Sequence, residues 1–129
     1  MKIGYNFEFF GNYIQVRHSE NFVITPPEMM KFWTELAEFS KQHNCKKVMV
    51  DGTIGYRKMS TVEAFESGSI AGRKVLGVWL AFYFPDYKPD QITEFFKTVA
   101  RNRGVRIDFF TDREIAFKWL SVLENVAAA

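Results

Sequence analysis

Hydrophobic positions along the chain switch between two periods. Phe7-Glu8-Phe9-Phe10 and Tyr13-Ile14-Gln15-Val16-Arg17 are aromatic and β-branched runs on either side of Gly11-Asn12. A two-residue turn signal between two such runs predicts a hairpin, with strands at about 5–10 and 13–18. From Thr25-Pro26-Pro27-Glu28 the period lengthens. Thr25 is placed to cap the open amides, proline suits the first helical position, and Glu28 completes a capping box. Met29, Phe32, Trp33, Leu36 and Phe39 or Ser40 follow at helical spacing, and the helix should stop near His43-Asn44.

Lys46-Lys47-Val48-Met49-Val50-Asp51 reads as a third strand, followed by a loop with Gly52 and Gly55. Ser60-Thr61-Val62-Glu63 is a second capping box, so a second helix begins with Ser60 as its cap. Val62, Phe65 and Ile70 are its expected buried side. Ser67, Gly68 and Gly72 weaken it on propensity and suit close packing against a sheet. Val75 to Phe84 is apolar throughout, as in a strand covered on both faces. A third helix runs from about Asp90 to Arg103, with Ile92, Phe95, Phe96 and Val99 inward and Gly104 ending it. Val105 to Phe110 is the last strand. Thr111-Asp112-Arg113-Glu114 reads as a third capping box, opening a helix with Ile115, Trp119, Leu120 and Leu123 at 3–4 spacing.

The expected order is therefore β-β-α-β-α-β-α-β-α. It predicts an α/β fold: a mixed, mostly parallel five-stranded sheet with an antiparallel N-terminal hairpin strand and about four helices. The 129 residues suit one domain, 1–129, with no internal repeat or linker. Hydrophobic residues at 47% and charged residues at 25% exclude a disordered or low-complexity chain. One cysteine excludes an internal disulfide. No apolar run reaches the ~20 residues of a membrane helix, and Met1 to Asn6 holds no apolar signal core. A cytoplasmic location follows as the expectation.

Net charge is +2, short of a nucleic-acid footprint. The charge is uneven, however. Residues 1–40 carry three basic and five acidic side chains, residues 41–74 seven and three, and residues 97–118 six and three. The two later stretches read either as solvated faces or as a basic patch facing an acidic partner or a phosphate.

Two stretches carry a family resemblance. Asn102-Arg103-Gly104-Val105-Arg106-Ile107-Asp108-Phe109-Phe110-Thr111-Asp112-Arg113-Glu114-Ile115-Ala116-Phe117-Lys118-Trp119-Leu120 resembles the closing strand and helix of the SpoIIAA-like branch of the STAS superfamily. Lys47-Val48-Met49-Val50-Asp51, a loop and Ser60 resemble the STAS strand-loop-helix. Members are small, mostly bacterial, single-domain proteins of the anti-sigma-factor-antagonist type. The resemblance implies a non-enzymatic module that binds a protein partner, with a switch hydroxyl at the head of the second helix. The family pattern there is aspartate-serine-serine-glycine. Here it reads Met59-Ser60-Thr61-Val62, which keeps two hydroxyls, Ser60 and Thr61, and lacks the aspartate and the glycine.

Ligands of open α/β sheets sit beyond the carboxyl ends of the strands. Asp51, Thr53, Tyr56, Arg57 and Lys58 are accordingly the candidate partner- or ligand-binding loop. Gly52-Thr53-Ile54-Gly55 lacks the ending of a phosphate-binding loop, and no dinucleotide fingerprint follows a predicted strand. His43 and Cys45 are too few for zinc, and Cys45 reads as a small buried hydrophobe. Asp51 and Asp108 have no spacing that makes them a catalytic pair. No cofactor, no metal site and no nucleic-acid partner are expected.

Aromatic residues make up 17%, including 14 phenylalanines. Surplus apolar surface is expected around Phe82, Tyr83, Phe84 and Tyr87, and at Trp33 and Phe39, where it would suit a partner or a homodimer. The alternative function is a small carrier of a hydrophobic ligand or lipid. That reading needs a closed pocket of at least ~300 Å³ lined by Trp79, Phe82, Phe95, Phe96 and Trp119.

Overall fold

A computed structural model describes residues 5–18, 26–51, 60–85, 88 and 90–122. Five strands form one sheet in the order β1-β2-β3-β4-β5: β1 Tyr5–Phe9, β2 Ile14–His18, β3 Lys47–Asp51, β4 Trp79–Tyr83 and β5 Arg106–Phe110. Only β1 runs antiparallel to its neighbour, and β2 to β5 are parallel. The helices are α1 Pro26–His43, α2 Thr61–Lys74, α3 Gln91–Asn102 and α4 Arg113–Leu120. The expected α/β order and the mixed sheet are both present.

The hairpin closes where Gly11 takes a φ of +89°, and Phe10 N–H donates to Tyr13 O at 3.0 Å. Successive strands joined by right-handed crossovers put α1, α2 and α3 on one face of the sheet. Ile14, Val16, Val48, Val50, Leu80 and Ile107 form that face's core with Phe32, Trp33, Leu36 and Phe96. The other face belongs to α4. There Met49 and Ala81 pack with Ala116, Phe117 and Leu120, and Tyr13 joins them.

Several expected details shift. The apolar run 75–84 is not all strand: Val75 caps α2, Gly77 turns with a φ of +79°, and β4 begins at Trp79. The cap of α4 is Asp112, not Thr111. Its Oδ1 accepts from Glu114 N at 2.9 Å and Ile115 N at 3.2 Å. Ile115 is exposed, because the inward arc of that short helix is Ala116, Phe117 and Leu120. Leu123 and the expected cap Thr25 lie outside the described residues.

The largest revision concerns α2. Val62 is 66% and Phe65 46% exposed, and of the expected inward trio only Ile70 is buried. The buried arc instead comprises Ala64, Ser67, Gly68 and Ala71. These small residues face neighbouring helices. A Cβ on Gly68 would lie 2.8 Å from Val99 Cγ1 of α3, and one on Gly72 would lie 2.4 Å from Arg103 Cβ. Across the other flank, Trp33 Nε1 donates to Ser67 Oγ at 3.0 Å. The glycines thus bring α2 against α3, not against the sheet, and Val62 and Phe65 point to solvent.

Candidate functional site

The carboxyl ends of β2, β3 and β4 bring Arg17, Asp51 and Tyr83 into register, and β5 adds Phe110 beside Tyr83. Asp51 is the last residue of β3 and shares the strand parity of Met49, so it lies on the α4 face. Arg113, the first residue of α4, meets it there: Nη1 lies 3.0 Å from Oδ2. The two side chains are 26% and 17% exposed, respectively. The Arg113 guanidinium also lies 5.9 Å from the Tyr83 ring centroid and 5.5 Å from that of Phe117. A cation in the first turn of a helix opposes the dipole. Asp51 offsets that charge from the neighbouring strand.

On the other side of the sheet, α2 opens at Ser60. Glu63 N–H donates to Ser60 Oγ at 3.1 Å, and Ser60 N–H donates to Glu63 Oε1 at 2.9 Å. This is the expected reciprocal box, and Ser60 is exposed. Helix α3 opens nearby in the same sense, with Thr93 N–H donating to Asp90 Oδ1 at 2.7 Å. Thr61 begins the α2 backbone. Thr53, Tyr56, Arg57 and Lys58 lie outside the described residues, as does Tyr87.

Chemically, the edge offers a neutralised acid–base pair and one solvent-facing hydroxyl at a positive helix end. The two aspartates weighed as a pair are engaged separately. Asp51 takes Arg113, while Asp108 takes Lys97 and Arg101 at 3.3 Å each. His43 stacks on Phe9 and meets Phe39 at a tilt, and Cys45 is buried with its thiol 3.6 Å from Lys47 O.

The five expected cavity residues do not converge. Phe82 and Phe96 belong to the α1–α3 face, and Trp79 and Trp119 to the α4 face. The sheet lies between them, because Trp79 and Phe82 differ by an odd number of strand positions. Phe95 is exposed, one helical position outside the buried arc of Thr93, Phe96, Val99 and Ala100. Trp79 and Trp119 instead border an open groove of about 490 Å³ with Arg101, Gly104, Val105, Arg106 and Ile107. The expected surplus is also redistributed. Trp33 is fully buried, Phe39 stacks on Phe7, and Phe82, Phe84 and Phe109 stack on one another. Among the described residues the exposed large apolar side chains are Met30, Val62, Phe65, Leu76, Phe95 and Ile115.

Arg113 escaped the sequence reading as a site residue. The signal available was its place directly after the cap Asp112, where a cation needs a carboxylate from elsewhere. No protein-family model and no curated protein matches this sequence.

Proposed function

We propose that the chain is a STAS-like, non-enzymatic module that binds a protein partner through the carboxyl edge of its sheet and the outer face of α2. The observation that carries this reading is the exposure of Val62 and Phe65 within five residues of the exposed Ser60. Two large apolar side chains turned outward, while small ones face the core, favour contact with another molecule. The ion pair of Asp51 with Arg113 supports a binding role, since both titratable side chains are committed to each other. The division of the aromatic residues by the sheet counts against a carrier with one closed apolar chamber.

Ser60 is the regulatory hydroxyl of this proposal, with Thr61 as its neighbour. A phosphate on Ser60 would meet the positive end of α2 and compete with the Glu63 carboxylate for the Ser60 amide. Like-charge repulsion would then drive Glu63 out of the box and alter the surface beside Val62.

A photo-crosslinking residue at position 62, expressed in the native host, tests the surface. The reading requires one protein adduct that is absent when the probe sits at exposed Lys118 and is lost in Phe65→Glu. An adduct formed equally from both positions, or one insensitive to Phe65→Glu, overturns it.

A further inference from the structure

The end of the sheet opposite to the partner edge is built differently, and it carries an inference beyond the partner-binding reading. Parallel strands β3 to β5 begin there, and all four helices end there. Residues 40–48, 71–80, 99–107 and 117–120 make up these strand starts, last helical turns and short connections. They hold nine of the 17 Lys+Arg of the chain and none of its 15 Asp+Glu. Five cations of the first basic stretch and four of the second therefore meet at one pole. A cation in the last turn of a helix is ordinary, since it complements the dipole. Four such helix ends with three strand starts, and only the Asp108 carboxylate at their margin against Arg101, concentrate positive potential on one surface.

The cations differ in what they face. Arg101 Nη2 lies 3.3 Å from Asp108, and the Arg103 guanidinium lies over the Phe65 ring. Among the described residues Lys41, Lys46, Lys47, Arg73, Lys74, Arg106 and Lys118 have no carboxylate within ion-pair distance. All but Lys47 are exposed.

An apolar element stands among them. Leu76, at the tip of the turn between α2 and β4, is 63% exposed. A Cβ on Gly104 would lie 2.5 Å from Leu76 Cδ1, and one on Gly77 would lie 3.6 Å from Lys46 Nζ. Leu76 is thus flanked by a lysine on one side and by the wall of the 490 Å³ groove on the other. Inside that groove the Trp79 and Trp119 rings meet edge to face at 5.3 Å, and the Arg106 guanidinium lies 4.5 Å from the Trp79 centroid.

We propose that this pole docks on the surface of an anionic lipid bilayer. The ring of cations meets the headgroups, Leu76 enters the interface, and the two tryptophans sit at headgroup depth, where amphipathic rings are favoured. Leu76 decides between this surface and nucleic acid. A protruding leucine gains from an acyl boundary and gains nothing from a phosphodiester backbone. With the carboxyl edge of the sheet at the far end, the docked chain presents that edge and Ser60 away from the bilayer.

Co-sedimentation with vesicles tests the proposal. The protein should partition onto phosphatidylcholine vesicles containing about one-third phosphatidylglycerol and not onto pure phosphatidylcholine. Binding should fall at least about tenfold between low salt and about 0.5 M salt. Arg73→Glu/Lys74→Glu should weaken it at least about tenfold, and Lys46→Glu, in an exposed connection, about fivefold with the melting temperature unchanged. Leu76→Lys should weaken it although a positive charge is gained. Failure to bind the anionic vesicles, or equal binding by the folded charge-reversal variants, overturns the proposal. So does a Leu76→Lys variant that binds vesicles more tightly, or a wild-type chain that binds a random DNA duplex and ignores the vesicles.

Discussion

Arg113 and Asp51 stand 62 positions apart and meet at 3.0 Å across the end of the sheet. The contact joins the first residue of α4 to the last residue of β3, and so ties the helix on one face to the root of the 52–59 connection. Both side chains are largely shielded, which puts the pair between a surface ion pair and a buried one. Arg113→Met leaves the part-buried Asp51 carboxylate without that cation, and should lower unfolding free energy by about 1–2 kcal/mol in urea. Asp51→Asn should cost less, because the neutral amide still accepts from the guanidinium. A double-mutant cycle with a coupling near zero would show that the pair contributes nothing.

The helix pair α2–α3 makes a second prediction. Gly68→Ala improves intrinsic helix propensity by about 1 kcal/mol. Its new methyl would nevertheless lie 2.8 Å from Val99 Cγ1 and 3.1 Å from Ala100 N, closer than atoms pack. Overpacking of this kind costs typically 1–3 kcal/mol, so the variant should be net destabilised by about 1 kcal/mol. Val99→Ala added to it should restore part of the loss, whereas Val99→Ala alone should destabilise. Thermal melts of the four proteins decide the sign. A more stable Gly68→Ala would mean that α2 stands farther from α3.

These two contacts mark where the sequence was legible. Turn and capping chemistry is local, so Gly11-Asn12 and the Ser60–Glu63 box placed element boundaries. Which side of an element faces inward is not local. On α2 the rule that large apolar side chains point inward failed for Val62 and Phe65, because neighbouring helices approach closely along the arc of Ala64, Ser67, Gly68 and Ala71 and leave Ile70 as the large apolar side chain buried there. In β4, a run apolar on both faces hides its parity, so Trp79 and Phe82 could be assigned to one cavity although the sheet separates them. At the candidate site, Asp51 and Ser60 were readable from the strand end and the cap. Arg113 was not, since its partner lies five elements upstream. The basic stretches were visible as charge, while the meeting of nine of their cations at one pole depends on the common direction of β3 to β5.

Ser60 separates capping from regulation by experiment. Ser60→Ala removes the acceptor for Glu63 N–H and should cost about 1 kcal/mol of stability, read by urea titration. Ser60→Asp keeps an acceptor at a position where a carboxylate is favoured, so its stability should match the wild type within a few tenths of a kcal/mol. If the hydroxyl is also regulatory, Ser60→Asp should lose the position-62 crosslink while remaining fully folded. A folded Ser60→Asp that crosslinks like the wild type would leave Ser60 with capping alone.

The outer edge of β5 is closed by side chains. Arg101 Nε donates to Ile107 O at 2.9 Å, and Asp108 Oδ1 accepts from its neighbour Phe109 N at 2.9 Å. The Asp108 carboxylate also holds Lys97 and Arg101 at 3.3 Å, which places charge along the strand. An edge strand with open backbone groups recruits other strands, and charged side chains laid across it prevent that. Arg101→Ala/Asp108→Ala uncovers the Ile107 carbonyl and the Phe109 amide together, beside the apolar Phe109 and Phe110. The double variant should self-associate at concentrations where the wild type does not, as measured by light scattering on a sizing column. Lys97→Ala, which leaves both backbone groups covered, should remain unchanged. Were the double variant to keep the wild-type mass at every concentration, the two side chains would be ion-pair partners only, and protection of the edge would have to come from its twist.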